Sequence, residues 1–256
     1  MKSDIVFNKI SEFLRKEYVS RNSSCVVIGI SGGIDSTVTA YVAARALGAE
    51  RVFGLSLPDY SVTPKTDIKH GLEISKLLGI KYKVIEVGRG KKMITRGFPN
   101  DKLARGNFLV RLRMAILYYF AAVKGGLVLG TADKSELQLG YFTKYGDGGA
   151  DIFPIADLYK TEVREFARYL GIPDSIIRKK SSARIWRGQT AEGEIGVQYE
   201  KIDMILKNIQ YDKLPSETKI PTIEGVTKKD IKSVIDWIQS NSHKHEIPIP
   251  ICKLRQ

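Results

Sequence analysis

Apolar positions along the chain follow two alternating patterns, one typical of buried strands and the other of amphipathic helices. The continuous apolar run Cys25–Ile30 has the length and the branched residues of a buried parallel strand. Arg51–Leu57 and Lys81–Val87 predict two further strands, and Leu127–Leu129 predicts a fourth, short one. Strands that alternate with helices indicate a parallel sheet with right-handed crossovers.

Between these strands, apolar residues recur at helical spacing. The predicted helices are residues 4–19, the stretch that follows Gly33, Ile68–Leu78, about Leu103–Lys124, Leu158–Leu170, Tyr199–Ile209 and Lys228–Gln239. The basic, glycine-rich segment Gly88–Asn100 has no apolar period and is interpreted as exposed. The proline-rich sequence after Asn241 cannot be helical. We therefore expect an α/β fold in which a doubly wound parallel sheet carries helices on both faces, as three layers and one domain over residues 1–256.

The loop after the first strand has the features of an anion site. Ser31-Gly-Gly ends the strand, and Asp35 and Ser36 suit the first turn of the helix that follows. Free backbone N–H groups and the positive end of the helix macrodipole meet at this point, which favours polyphosphate. The loop is not a Walker A motif, because Gly-x-x-x-x-Gly-Lys is absent. The alternative is an ordinary Gly-Gly turn between a strand and its helix.

A second polar cluster, Gly130–Glu136, follows the fourth predicted strand. Ligands of parallel sheets bind beyond the carboxyl ends of the strands, so this cluster could complete a site that faces the first loop. Mg²⁺ prefers hard oxygen ligands and keeps waters while it bridges substrate phosphates, so Asp35 and Glu136 together would be sufficient. The alternative is that Asp133 and Glu136 only favour the start of a helix.

Composition and charge exclude fewer classes of protein than the two loop motifs do. The chain has 256 residues, 43% hydrophobic residues and a formal net charge of +13. Basic surfaces attract nucleic acid as well as small polyanions, but the lysine pairs here are scattered, which favours an ordinary solvated surface, so we expect no nucleic-acid partner. Two cysteines are too few for a disulfide framework, and neither a secretory signal nor a membrane span is visible. Cytoplasm is the default expectation.

Two stretches resemble known families. Ser31–Ser36 resembles the pyrophosphate loop of the ATP pyrophosphatases, which split ATP between its α and β phosphates. Gly140–Asp151, which contains Phe-Thr-Lys-Tyr-Gly-Asp-Gly, has the composition of a loop that shapes a pocket, and it closely resembles the corresponding segment of ammonia-dependent NAD synthetases. The helix Leu158–Pro173 and the segment Lys180–Tyr199 extend this resemblance, which covers nearly the whole chain from Asp4. Ser181, Arg184 and the run from Phe108 depart from the family pattern.

The resemblance implies an adenine-nucleotide α-hydrolase-like fold and a ligase. Such a ligase amidates deamido-NAD with ammonia through an adenylylated carboxylate, and it releases AMP and pyrophosphate. The implied ATP contacts are Gly29, Ile30, Ser31, Gly32, Gly33, Ile34, Asp35, Ser36, Thr131, Lys160 and Ser182. The implied contacts to deamido-NAD are Arg111, Lys144, Asp151, His243 and Lys244. Mg²⁺ on Asp35 and Glu136 would clamp the phosphates. Asp35, Lys160 and Asp147 would be catalytic, with Asp147 placed to assist ammonia.

The same resemblance implies a homodimer that takes ammonia as its nitrogen donor, without a glutaminase domain.

Two alternatives to this function remain at this point. One is a tRNA-modifying enzyme on the same fold, which the positive charge keeps open. The other is a non-catalytic nucleotide sensor, which agrees poorly with the presence of both Asp35 and Glu136. His243 and His245 lie two residues apart and give a weak metal signal, for which a solvated basic tail is the alternative.

Overall fold

Four parallel strands form the central sheet of the computed structural model, which describes residues 2–209, 214–215 and 221–245. The strands are β1 (Cys25–Gly29), β2 (Val52–Ser56), β3 (Lys81–Val84) and β4 (Gly126–Leu129), and their order in the sheet is β3-β2-β1-β4. In the register, Val26 of β1 lies between Val52 and Leu127. β1 is therefore central, and the chain reverses its direction of winding at this strand, so the gap beside β1 is the switch point where ligands of doubly wound sheets bind.

Helices follow or precede each strand. They are α1 (Ser3–Ser20), α2 (Ile34–Leu47), α3 (Lys65–Leu78), α4 (Gly88–Ile94), α5 (Lys102–Lys124), α6 (Lys134–Leu139), α7 (Lys160–Leu170), α8 (Asp174–Ile177), α9 (Ala191–Ile195), α10 (Tyr199–Asn208) and α11 (Lys228–Ser240). Short 3₁₀ turns span Ala49–Arg51 and Ser242–Lys244.

Alternate residues of β1 point into two different apolar cores, as expected for a strand that is buried on both faces. Val26 and Ile28 pack with α1, α2 and α7 on one face of the sheet. Val27 packs on the other face with Leu109 of α5 and Val128 of β4. The three layers predicted from the sequence are thus present, with β1 at the centre of both interfaces.

A third apolar cluster lies beside the sheet and is built from α6, α9, α10 and α11. Its fully buried members include Leu139, Tyr199, Ile202 and Val234. Thr227 caps α11 by accepting a hydrogen bond from the N–H of Asp230. Leu139 of α6 belongs to this cluster, which therefore holds α6 at the carboxyl end of the sheet, where the polar residues lie.

The predicted strands and long helices are confirmed, with shifts of a few residues at their ends. Two segments differ in kind. Ser242–Lys244, in the stretch after Asn241 that the sequence predicts to be non-helical, forms a 3₁₀ turn. Residues 88–94 of the exposed stretch Gly88–Asn100 form helix α4. The stretch is largely exposed, as expected, but the Glu86 carboxylate accepts hydrogen bonds from the N–H groups of Gly88 and Arg89. Lys91 also forms an ion pair with Asp59, whose side chain is buried. A local cap and one tertiary ion pair therefore stabilise a helix that has no apolar face.

α5 is the one helix in the described part of the chain that is long and apolar enough, by length and composition alone, to cross a membrane. Arg111 and Arg113 interrupt its apolar sequence. In the fold, α5 packs on β1 and β4, and Tyr119 and Val123 on its outer side are about two-thirds exposed.

Candidate active site

The loop after β1 is held by its own hydroxyl groups. The Ser36 hydroxyl accepts a hydrogen bond from the Ser31 N–H and lies 3.0 Å from the Ser31 hydroxyl. The Ser31 hydroxyl in turn accepts from the Gly33 N–H at 3.2 Å. Because these bonds close the loop on itself, its outward N–H groups have fixed directions before any ligand binds.

The N-terminus of α2 has no side-chain cap. Gly33 is its N-cap residue in extended geometry, so the N–H groups of the first turn face the loop without an internal acceptor from a cap. Gly32 has φ +75, and a Cβ atom there would lie 2.1 Å from the Asp67 carbonyl oxygen. The geometry is that of a helix N-terminus open to an anion, as the sequence predicts.

One lysine joins three carboxylates beside this loop. The Lys160 ammonium lies 2.8 Å from Asp35, 3.0 Å from Asp133 and 2.9 Å from Glu136. Lys160 and Asp133 have no exposed side-chain surface, whereas Asp35 and Glu136 keep 18% and 17% of theirs. The cluster has a formal charge of −2, and its two exposed members face outward on the side of the loop.

Neighbouring backbone contacts fix the position of Lys160. The N–H of Lys160 donates to the Ser135 hydroxyl, and the next N–H, of Thr161, donates to the Asp203 carboxylate at 2.7 Å. The ammonium also lies 5.2 Å from the ring centre of Tyr199, a cation–π contact. These groups begin α7 at the carboxyl end of the sheet and direct Lys160 toward α2.

Charges within the cluster shift each other's pKa values. Burial alone would lower the pKa of Lys160, but the carboxylates of Asp133, Asp35 and Glu136 raise it well above its ordinary value. Burial raises the pKa of Asp133 to about 6, against the opposing effect of Lys160. Burial and the neighbouring carboxylates also raise the pKa of Glu136. The cluster has more carboxylates than cations, so an additional positive charge would be stabilised there.

A cavity opens in front of the loop and extends toward the Gly140–Asp151 loop. The residues of the implied ATP set that line it are Gly29, Ile30, Ser31, Asp35, Ser36, Thr131 and Ser182. Glu136 and Asp147 line it as well. Gly32, Gly33, Ile34 and Lys160 do not line it: Ile34 is buried in the core, and Lys160 lies behind its carboxylates.

A different part of the surface brings together most of the implied dinucleotide contacts. Arg111 is exposed and donates to the Lys144 carbonyl oxygen at 3.1 Å. The Lys144 ammonium donates to the His243 carbonyl oxygen at 2.6 Å, and Lys244 donates to the carbonyl oxygens of Gly140 and Phe142. Arg111, Lys144, His243 and Lys244 therefore form one connected group around the Gly140–Asp151 loop, which has no helix or strand between residues 141 and 150.

Asp151 and His245 have contacts within the fold. The Asp151 carboxylate accepts a hydrogen bond from the Val128 N–H at 2.7 Å and one from the Tyr118 hydroxyl. His245 Nε2 lies 2.6 Å from the Leu137 carbonyl oxygen.

Within the described residues, no group of three His, Cys, Asp or Glu side chains is arranged to hold a metal ion.

The structure adds contacts that the sequence did not predict. Asp133 is the N-cap of α6, as one of the alternatives held, and it also contacts Lys160. Asp67 at the start of α3 accepts from Lys179 and Arg184, both at 2.8 Å, and Lys179 also donates to the Gly32 carbonyl oxygen. Asp67 and Lys179 are 112 residues apart and belong to no spacing motif, so the sequence carried no signal for this contact.

Comparisons with known proteins converge on one group. A family model described as NAD synthase matches residues 6–248. The NH(3)-dependent NAD(+) synthetase of Archaeoglobus fulgidus is 42% identical over 256 residues, which is all of this chain and 99% of the relative. The solved structure of NMN synthetase from Francisella tularensis superposes with a TM-score of 0.86 at 31% identity, and NH3-dependent NAD synthetase from Campylobacter jejuni with 0.81 at 30%. Both structural matches cover 98% of this chain and 99% of the other.

Proposed function

The chain belongs to the NAD synthase family, and on that basis we propose that it is a ligase that converts deamido-NAD and ammonia to NAD at the expense of ATP. One observation carries this proposal beyond the family. The phosphate loop, the carboxylates of Asp35 and Glu136, and Asp147 of the Gly140–Asp151 loop all line the same cavity. A site for ATP and a site for a second, carboxylate-bearing substrate are therefore continuous.

In the first half-reaction, a carboxylate oxygen of deamido-NAD attacks the α-phosphorus of ATP, and the bond to the β-phosphate oxygen breaks. The loop N–H groups and the Ser31 hydroxyl would bind the β- and γ-phosphates, where charge grows as pyrophosphate departs. The Ser182 hydroxyl, which accepts from the Arg184 N–H at 3.1 Å, would add a further contact at the phosphates. Positioning of the two substrates supplies much of the acceleration, so no nucleophilic side chain is required.

Mg²⁺ would be held by Asp35 and Glu136. The donor set fits this ion, because both groups are hard carboxylates that line the cavity, and substrate phosphates and waters would supply the remaining oxygen ligands. When bound, Mg²⁺ neutralises charge on the phosphates of ATP. Lys160, which lies behind both carboxylates, would keep them oriented, and Asp133 would hold Lys160 in place.

In the second half-reaction, ammonia attacks the acyl carbon, the bond to AMP breaks, and one proton leaves the nitrogen. Asp147 would accept a proton from ammonium or from the attacking nitrogen. One oxygen of its carboxylate accepts from the Thr143 N–H at 2.7 Å, which fixes its orientation at the cavity wall.

The group formed by Arg111, Lys144, His243 and Lys244 would bind the remainder of deamido-NAD. It contributes three cations next to the cavity wall, and the dinucleotide carries two phosphates. The Asp151 carboxylate accepts a hydrogen bond from the Val128 N–H of β4. Asp151 would therefore affect this substrate indirectly, by fixing the position of the Gly140–Asp151 loop.

A homodimer is supported by the outer face of α5. Ala115, Tyr119 and Val123 recur every four residues and are exposed, and Arg111 begins the same stripe. An unpartnered apolar stripe on a long helix is typical of an interface between subunits, and two-fold dimers are the commonest arrangement. The stripe borders the dinucleotide group at Arg111, so we infer that the partner subunit lies close to that substrate.

We further propose that residues 1–256 act as one domain that uses free ammonia, and that the enzyme works in the cytoplasm. The alternative of a tRNA-modifying enzyme is not favoured, since the Archaeoglobus fulgidus relative, which matches over 99% of its own length, is named an NH(3)-dependent NAD(+) synthetase. A nicotinate mononucleotide substrate is the second candidate, because one of the solved structures with high similarity is named an NMN synthetase.

The test measures AMP and NAD produced from ATP, Mg²⁺, ammonium and deamido-NAD, beside reactions that omit deamido-NAD or replace ammonium by glutamine. We expect NAD with ammonium and little with glutamine. In parallel, nicotinate mononucleotide replaces deamido-NAD, and the ratio of kcat/KM for the two substrates decides between them. A preference for the mononucleotide, or ATP cleavage that requires tRNA, would contradict the proposal.

A further inference from the structure

Two cations line the cavity within the described residues, Arg113 and Arg184, and they differ in their partners. Arg184 forms an ion pair with Asp67. Arg113 forms no ion pair with any carboxylate in the part of the chain that the structure describes, where ion pairs extend to 4.0 Å. A half-buried guanidinium in a cavity wall without a counter-ion is unfavourable, so such a group is expected to meet an anionic ligand.

The two hydrogen bonds of Arg113 define where its guanidinium lies. Nε donates to the Leu57 carbonyl oxygen at 3.0 Å, and Nη1 donates to the Ala183 carbonyl oxygen at 3.1 Å. Leu57 ends the apolar wall formed after β2, which suits the adenine and ribose of ATP. Ala183 follows Ser182, the residue implied at the phosphates. The group of ATP that lies between its nucleoside and its β-phosphate is the α-phosphate.

Arg113 keeps donors for such a ligand. A guanidinium has five N–H groups, and the two backbone carbonyls take one each. Burial lowers the pKa of Arg113 to about 10, and the more distant carboxylates of Asp147 and Asp59 oppose that shift, so the side chain is charged at neutral pH. Lys160 cannot take this place, because its ammonium is fully buried and bonded to three carboxylates.

We propose that Arg113 binds the α-phosphate of ATP and of the acyl adenylate, and that it stabilises AMP as the leaving group when ammonia attacks. This inference rests on the proposed function. In that step the C–N bond forms, the C–O bond to AMP breaks, and the electron pair moves to the phosphate oxygen, so negative charge grows on AMP. In the first step the growing charge lies on pyrophosphate instead. Arg113 therefore acts mainly on the second half-reaction.

The experiment compares wild type with Arg113→Met and Arg113→Lys. The first half-reaction is followed alone, as exchange of labelled pyrophosphate into ATP with deamido-NAD and without ammonium. The complete reaction is followed as NAD formation at saturating substrates. We expect Arg113→Met to lower kcat for NAD about 100-fold or more and to lower exchange much less, with partial recovery in Arg113→Lys. Arg105→Met, the same change on the same helix at a residue whose side chain donates a hydrogen bond to the Phe98 carbonyl oxygen, should leave both rates unchanged.

Product inhibition gives a second readout that a purely structural role would not move. The inhibition constant for AMP should rise about tenfold or more in Arg113→Met, whereas that for pyrophosphate should stay near wild type. Equal losses in exchange and NAD formation, or an unchanged constant for AMP, would overturn the inference. If Arg113→Met does not fold, the same two measurements on Arg113→Lys decide. If wild type forms no NAD, the proposed function fails, and the affinity of wild type and variants for AMP still tests the contact to Arg113.

Discussion

The ammonium of Lys160 lies 2.8 Å from the carboxylate of Asp35, although 125 residues separate the two in the chain. Asp35 belongs to the first turn of α2, and Lys160 is the first residue of α7. The contact crosses the switch point of the sheet, where the loops after β1 and β4 converge. The fold and the proposed Mg²⁺ site therefore share the residues of one cluster.

Loss of the ammonium should destabilise the whole protein. Lys160→Met leaves Asp133, Glu136 and Asp35 with no counter-ion, and breaking a buried ion pair costs about 3–5 kcal/mol of unfolding free energy. We expect a loss of that size in denaturant unfolding, together with loss of NAD formation. Lys207→Met removes an exposed pair with Glu162 and should cost less than about 1 kcal/mol. A Lys160→Met protein as stable as wild type would show that the carboxylates do not need this cation.

Replacement of Asp35 should separate activity from stability. Asp35→Asn keeps the shape of the side chain, and Lys160 retains Asp133 and Glu136, so the unfolding free energy should change by about 1 kcal/mol or less. NAD formation should fall by about 100-fold or more, because the phosphates lose a proposed Mg²⁺ ligand. Asp157→Asn, the same change in an exposed pair with Lys134, should have neither effect. Full activity of Asp35→Asn at any Mg²⁺ concentration would refute the assignment.

The two loop glycines should respond differently to alanine. Gly32→Ala places a Cβ atom 2.1 Å from the Asp67 carbonyl oxygen in a left-handed conformation, so the loop must move. We expect a lower melting temperature and weaker ATP binding by calorimetry. In Gly33→Ala the new Cβ atom would lie 3.3 Å from the Ser31 hydroxyl, and the backbone φ of −90 suits any residue. The melting temperature of this variant should therefore fall less. Equal melting temperatures for the two variants would mean that the loop adapts freely.

Asp230 should give the protein a pH-dependent increment of stability. Hydrogen bonds from Lys201 and Thr227 lower the pKa of Asp230 to about 2, from an ordinary value of 3.8. A depressed carboxylate pKa stabilises the folded state at pH values above the unfolded pKa, and this contribution disappears as the pH falls through about 2. The difference in unfolding free energy between wild type and Asp230→Asn should therefore be constant at pH 5–7 and narrow below pH 4. A difference that widens in acid would contradict the sign.

A charge on the outer face of α5 should dissociate the proposed dimer. Tyr119→Asp puts a carboxylate in the centre of the exposed stripe, which would be desolvated in an interface. Sedimentation should then show a monomer where wild type sediments as a dimer. Val19→Asp on α1, at a site that is about three-quarters exposed, should leave the dimer intact. A wild-type protein that is monomeric at micromolar concentration would contradict the proposed dimer.

The sequence predicted the parts of the fold and site that depend on local pattern. The strand, loop and helix around Ser31 follow from one apolar run and two glycines, and the rule for parallel sheets brought Glu136 near Asp35. The ion pairs of Asp133 and Asp67 were not predicted, because an N-cap already accounted for the first and no motif links the second to Lys179. Arg113 lines the cavity and Arg111 does not, and only the packing of α5 on the sheet decides this, which the sequence does not show.

The cluster around Lys160 also links the binding of a ligand to the stability of the folded state. Its members come from α2, α6 and α7, which belong to both halves of the sequence, so neither half can build the site alone. A nucleotide that binds this site adds its binding free energy to the folded state, about 2.7 kcal/mol at one hundred times its dissociation constant. Any local opening that separates α7 from α2 must release the nucleotide first, so the filled enzyme should exchange its amide protons more slowly in both halves at once.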